Sequence, residues 1–149
     1  MKILISSHVF CPSVGGIEEV SSILAHEFVR MGNEVKLITQ TPAVDERISP
    51  FGVIRKPNSA QLFNLIKWCD IFFQNNISLR TAWPILLIRK PWVVAHQTWI
   101  SRVDGSLGWQ DYLKCFLIRF ASNISISQAI ADHSPVKSAV IGNPYRDDV

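Results

Sequence analysis

Apolar residues along this chain switch repeatedly between two spacings. Lys2 to Ser7 is a short run of β-branched residues and leucine, the pattern of a strand buried on both faces. The next residues, up to Gly15-Gly16, include Pro12 and read as a loop. Ile17, Val20, Ile23, Leu24, Phe28 and Met31 then recur at helical spacing. Glu18 and Glu19 lie in the first turn of that helix, where carboxylates suit the positive dipole end, and Gly32-Asn33 stops it. Glu34 to Gln40 is a second apolar strand. A strand, helix and strand in this order predict a right-handed crossover between parallel neighbours.

The alternation continues to the end of the chain. Strands are predicted at Gly52 to Arg55, Asp70 to Gln74, Trp92 to His96, Ile124 to Ser127 and Val136 to Ile141. Helices are predicted at Ala60 to Trp68, Leu79 to Arg89, Leu107 to Ala121 and Gln128 to His133. No repeat or low-complexity stretch interrupts them, and residues 41–50 are the least regular part. The expected fold is α/β, one domain over 1–149: a doubly wound, mostly parallel sheet of about seven strands with helices on both faces.

Composition narrows the choice of partner. Of 149 residues, 48% are hydrophobic and 18% charged, below the roughly 25% charge of ordinary soluble domains. Disorder is excluded by that balance. A net charge of +3 with no basic run gives no reason to expect nucleic acid. No segment approaches the ~18 apolar residues that span a bilayer, and Ile3-Leu4-Ile5 reads as a strand and not as a signal peptide. The mean hydropathy of +0.18 has two readings, a large parallel-sheet core or a surface that a partner or membrane covers. Trp83, Arg89, Lys90, Trp92, Trp99 and Arg102 interleave aromatics with cations. They form a candidate membrane-surface patch, with core aromatics among solvated charges as the alternative. Cys11, Cys69 and Cys115 are odd in number and widely spaced, so neither a disulfide framework nor a zinc site is expected, and a cytoplasmic setting fits. Cys69 and Cys115 read as small core residues.

In open parallel sheets, ligands sit at the carboxyl ends of the strands. There the sequence places Ser7 and His8, Gln74-Asn75-Asn76, His96-Gln97-Thr98-Trp99, Ser127-Gln128, and Asn143 with Arg146. This rim is polar and hydrogen-bonding. Gly15-Gly16 lets backbone approach a ligand, and the free N–H groups of the following helix turn favour an anion such as a diphosphate; a plain tight turn has the same two glycines. His96 ends an apolar strand and is either a ligand contact or a packed structural residue. His8 leans structural, and His26 and His133 read as surface residues. Asp104 and Asp111 read as loop and helix-surface carboxylates. No Gly-x-Gly-x-x-Gly, Walker loop, nucleophile elbow or metal cluster is present, which disfavours a nicotinamide enzyme, an NTPase and a serine hydrolase.

The run Lys2-Ile-Leu-Ile-Ser-Ser-His-Val-Phe-Cys-Pro-Ser-Val-Gly-Gly-Ile-Glu-Glu-Val resembles the start of family-4-type retaining glycosyltransferases. Glu34 to Thr39, Val93 to Trp99, Ile124 to Ile130 and Val140 to Tyr145 resemble later pieces of the same pattern, in order. The resemblance implies the amino-terminal, acceptor-side half of a two-domain GT-B fold, each half Rossmann-like. It implies Gly15 and Gly16 at the donor diphosphate and His96 at the transferred sugar. It implies Asn75, Thr98, Trp99, Ser127, Asn143 and Arg146 along the cleft. No metal or cofactor is expected; the donor is a nucleotide-diphosphate sugar and the acceptor a saccharide or lipid-linked saccharide. The nucleotide-sugar half would lie outside these residues, so this chain alone is expected to be inactive, in the cytoplasm or peripheral at the inner membrane surface. The alternative is a non-catalytic Rossmann-like module that binds a sugar or nucleotide, or pairs with a partner.

Overall fold

The computed structural model of the chain describes residues 1–10, 15–42, 49–100 and 106–145. Among the described residues there are seven strands: β1 (Lys2–Ser7), β2 (Glu34–Thr39), β3 (Gly52–Arg55), β4 (Ile71–Asn75), β5 (Trp92–His96), β6 (Ser122–Ser125) and β7 (Ala139–Val140). They form one sheet in the order β3-β2-β1-β4-β5-β6-β7, and every neighbouring pair is parallel. The strand order reverses direction between β1 and β4. This is a Rossmann-like α/β fold, and its switch point is where such sheets open a crevice for a ligand.

The helices are α1 (Gly16–Arg30), α2 (Ser59–Trp68), α3 (Leu79–Ala82), α4 (Trp109–Leu117) and α5 (Gln128–His133). Two of them start on a side-chain cap. Asn58 and Gln61 close a reciprocal capping box at 2.8 and 2.9 Å to begin α2. Ser127 accepts from the Ile130 N–H at 3.3 Å to begin α5. Gly32, at φ 91°, ends the turn after α1.

Strand register separates two cores. Ile3, Ile5, Val35, Leu37 and Phe73 point to one face, under Ala25, Leu24 and Phe28 of α1. Leu4, Ile38, Phe72, Trp92 and Val94 point to the other, under Leu62 and Ile66 of α2, Ala82 of α3, and Leu117 with Ile118. Phe72, Leu4 and Ile66 are fully buried, each contributing about 1.5–3 kcal/mol by leaving water. Helices flank both faces as expected, but unevenly.

Two predicted helices are shorter than their apolar spacing suggests. Leu79 to Arg89 yields α3 and a 3-10 turn over Trp83–Leu86, because Pro84 has no N–H to continue an α-helix. Leu107 to Ala121 yields α4 and a 3-10 turn over Ile118–Phe120. The predicted strand Ile124 to Ser127 lies two residues earlier, because Ser127 is spent on capping α5. The predicted strand Val136 to Ile141 contracts to the two residues of β7.

Candidate functional site

A row of hydrogen-bonded side chains runs out of the switch point. Ser7, last in β1, donates to the Val9 carbonyl at 2.6 Å and accepts from Ser21 of α1 at 2.8 Å. Asn75, last in β4, donates to Ser21 Oγ at 2.7 Å and to the Ile17 carbonyl at 3.0 Å. Its Oδ1 accepts from Gln97 Nε2 at 2.8 Å. Gln97 and Asn143 then bond reciprocally, at 2.9 and 3.2 Å. Ser7, Ser21 and Asn75 are buried, Gln97 is half-buried and Asn143 is exposed. The row therefore carries hydrogen-bonding capacity from the core to the rim. Its inner members are locked, because each donor and acceptor is matched, so the outer amides are held in one orientation.

Asn76, next to this row, has φ 70°, a left-handed conformation that asparagine adopts more readily than most residues. Its side chain accepts from the Gln97 N–H at 3.4 Å and donates to Thr98 Oγ1 at 3.3 Å. A strained residue at a strand end next to a polar row is a usual mark of a functional rim.

Gly15 and Gly16 open α1 beside the same row. Both are exposed. Gly15 is extended, at φ 173°, so its backbone demands no glycine. A Cβ on Gly16 would meet nothing within 4 Å, whereas one on Gly15 would lie 2.9 Å from a Glu18 carboxylate oxygen. Glu18 is 7% exposed. Its carboxylate thus folds back over the positive end of its own helix. A diphosphate approaching Gly15 would meet that negative charge, which opposes the anion that the glycine pair and helix dipole favour.

His96 lies elsewhere. Ser7, Asn75 and Ala95 are register partners and share a face, so the adjacent His96 points to the opposite one. It is 1% exposed and bonds through Nε2 to Asn123 Oδ1 at 2.8 Å. Asn123 Nδ2 is held by the Ile118 and Ala121 carbonyls at 2.8 and 3.0 Å. That fixes the amide orientation and makes Nε2 the protonated nitrogen of neutral His96. Burial pushes its pKa below the usual histidine value, against the smaller upward pull of the Asn123 bond. His96 borders a pocket of about 120 Å³ formed with Thr98, Trp99, Cys115, Ile130 and His133. Trp99 stacks on His133 there, centroids 4.1 Å apart.

The remaining expected site residues divide. Asn75 and Asn143 join the polar row, Thr98 touches it through Asn76, and Trp99 borders the pocket on the other side. Ser127 caps α5, and Arg146, like Cys11, Arg102 and Asp104, lies outside the described residues. The aromatic–cation patch does not form as drawn. Trp92 is buried and donates its Nε1–H to Gln74 Oε1 at 3.2 Å, and Trp83 is half-buried. Gln74 is itself buried, donating to Thr81 at 2.8 Å and to the Ser78 carbonyl at 3.0 Å. Cys69 is a core residue whose thiol is pushed up to about 11, chiefly by burial; Cys115 is only half-buried. Among the described residues no group of three or more potential ligands could hold a metal.

Ser21, Glu18 and Asn123 were not among the expected site residues. Asn123 had a signal, since asparagine is a poor strand former in the middle of Ser-Asn-Ile-Ser. Ser21 had none beyond its place one turn past the glycines.

No family model matches the sequence, and no curated protein matches it. Solved structures do. A provisionally assigned NADH-flavin reductase from Streptococcus pneumoniae is 12% identical over 84% of this chain and 71% of its own, with a TM-score of 0.47. A D-2-hydroxyisocaproate dehydrogenase is 14% identical over 83% of this chain and 33% of its own, at 0.42. The TT0316 protein of Thermus thermophilus is 12% identical over 95% of this chain and 42% of its own, at 0.45. The chain thus spans less than half the length of the latter two. At these identities no activity passes from them to this chain.

The expected retaining glycosyltransferase is corrected at this point. No family model and no curated protein supports a sugar transferase, and the solved structures just named, a reductase and a dehydrogenase among them, share the Rossmann-like fold and lend this chain no activity. His96 also points to the face of the sheet opposite the one that α1 covers.

Proposed function

We propose that the chain is a Rossmann-like binding module that holds a hydroxyl-rich ligand, a sugar or a nucleoside, at the carboxyl ends of β1, β4 and β5. The observation that carries this reading is the locked row Ser7–Ser21–Asn75–Gln97–Asn143. A hydroxyl both donates and accepts, and an outward amide pair offers both functions. The Gln97–Asn143 pair can exchange its mutual bonds for bonds to a diol, while Asn75 keeps the pair in place. Glu18 supports the same ligand class. It is a carboxylate at the mouth, suited to accept from O–H groups and unsuited to a neighbouring phosphate.

Titration of the isotopically labelled chain with D-glucose, uridine and inorganic pyrophosphate tests the reading by NMR. Glucose or uridine is expected to shift the side-chain amide signals of Gln97 and Asn143, with pyrophosphate shifting them less. If neither hydroxyl-rich probe moves those signals, the module does not bind where proposed.

A further inference from the structure

The outer side of α4 is apolar. Trp109, Tyr112, Leu113, Phe116 and Phe120 recur three and four residues apart, and all are between 39% and 73% exposed. The end of the helix is anchored by Leu117 and Ile118, which are buried in the core. Its charged side chains Asp111 and Lys114 are half-buried, so α4 meets solvent chiefly through the apolar stripe, with Gln110 beside it. That inverts the usual arrangement of a surface helix.

The neighbouring crossover extends this surface. Leu86 and Leu87 are 61% and 71% exposed, just before β5, as Phe116 and Phe120 come just before β6. Strands β5 and β6 are adjacent and parallel, so both segments reach the same, amino-terminal rim of the sheet. Charge on these segments is one-sided. At that rim, residues 86–90 and 116–121 carry Arg89, Lys90 and Arg119 with no carboxylate, and Asp111 of α4 is engaged by the Gly108 N–H at 2.9 Å. The chain as a whole is nearly balanced, with 15 cations and 12 carboxylates.

We propose that this face docks on an anionic lipid surface. An aromatic stripe flanked by cations matches a helix lying in the plane of a bilayer interface, where Trp and Tyr rings settle at headgroup depth. None of the described helices is long and apolar enough to cross a membrane, so the contact is peripheral. A second copy of the chain fits the face poorly. A two-fold contact would bring two faces of the same positive charge together, each with one engaged carboxylate to offset it. Anionic headgroups supply the missing charge.

Co-sedimentation of the full chain with phosphatidylcholine vesicles, plain or mixed with phosphatidylglycerol, is the test. Binding to the mixed vesicles is expected, weakening with salt, with a blue shift of tryptophan emission that Trp109→Phe reduces. Phe116→Asp with Phe120→Asp should abolish it, and Arg119→Glu should lower partition about five-fold or more. These positions are exposed, so unchanged thermal unfolding confirms that the variants fold. Equal binding to both vesicle types, or binding that ignores Phe116→Asp with Phe120→Asp, overturns the proposal. So does a chain that ignores vesicles but dimerises until those substitutions make it monomeric, which assigns the face to a second copy.

Discussion

His96 donates its Nε2 proton to Asn123 Oδ1 across 2.8 Å, and Asn123 in turn clamps the Ile118 and Ala121 carbonyls. The pair ties β5 to the corner where the α4 crossover enters β6. A histidine at a strand end had an open reading between ligand contact and packed residue, and this geometry makes it a packed residue bordering a small pocket. Its folded pKa is lowered by burial, so the unfolded chain takes up the proton first as pH falls. Stability from this group is present above the ordinary histidine value near 6.5 and drains away as pH drops through the lowered folded value. Thermal unfolding followed from neutral pH downward is expected to show that loss. His96→Gln, which can still donate to Asn123, should flatten this part of the profile. A wild-type melting temperature that rises on acidification through this window would contradict the assignment.

Gly16 and Gly32 are expected to respond oppositely to alanine. A Cβ on Gly16 meets open space within the first turn of α1, so Gly16→Ala should leave stability unchanged or raise it by up to about 1 kcal/mol. Gly32 sits at φ 91°, where an L side chain is strained, so Gly32→Ala should cost about 1 kcal/mol or more although nothing crowds it. Urea unfolding of both variants checks the contrast. A glycine needed only for chain geometry at position 16 would show the opposite sign.

The element order was legible because each buried strand is a compact apolar run closed by a polar or turn residue. Lys2–Ser7, Gly52–Arg55 and Trp92–His96 match the expected bounds to the residue. Helix lengths were less legible. Apolar spacing continues through Pro84 and past Leu117, but the missing N–H at one and the turn toward β6 at the other end the α-helical bonding. The site was legible only as a rim. Position at strand ends put Asn75, Gln97, Thr98 and Asn143 along that rim, yet which face a residue takes depends on parity along the strand. A single step from Ala95 to His96 therefore turns the histidine to the face opposite the amide row. The reach of Glu18 back over Gly15 depends on a side-chain rotamer that no sequence pattern announces.

Gln74 bridges two elements that the sequence treats as separate. It accepts from the Trp92 indole and donates to Thr81 and the Ser78 carbonyl, all within a fully buried site. Gln74→Leu keeps the volume but leaves the Trp92 N–H unmatched, while the Ser78 carbonyl keeps the Ala82 N–H at 3.1 Å. One orphaned buried group costs about 1–3 kcal/mol, and a loss of that size is expected in chemical unfolding. Gln74→Glu should do less harm to the Trp92 bond but forfeits both donated bonds. A leucine variant as stable as the parent would show that the network is neutral here.

Asn75 and Asn143 stand at opposite ends of one amide row, and their alanine variants separate folding from binding. Asn75 is 1% exposed, and its truncation removes the donor to Ser21 Oγ and the Ile17 carbonyl and the acceptor that orients Gln97. A stability loss of about 1–3 kcal/mol is expected together with weaker ligand binding. Asn143 is exposed, and its side chain bonds the exposed end of Gln97. Asn143→Ala should therefore change stability by less than about 0.5 kcal/mol. If the outer amide pair contacts ligand, the same variant should still weaken binding of glucose or uridine several-fold in the NMR titration. Binding that survives Asn143→Ala but fails in Asn75→Ala would place the ligand deeper, against Ser21 and the first turn of α1. Binding indifferent to both would detach the row from recognition and leave it as the scaffold that joins β1, β4 and β5.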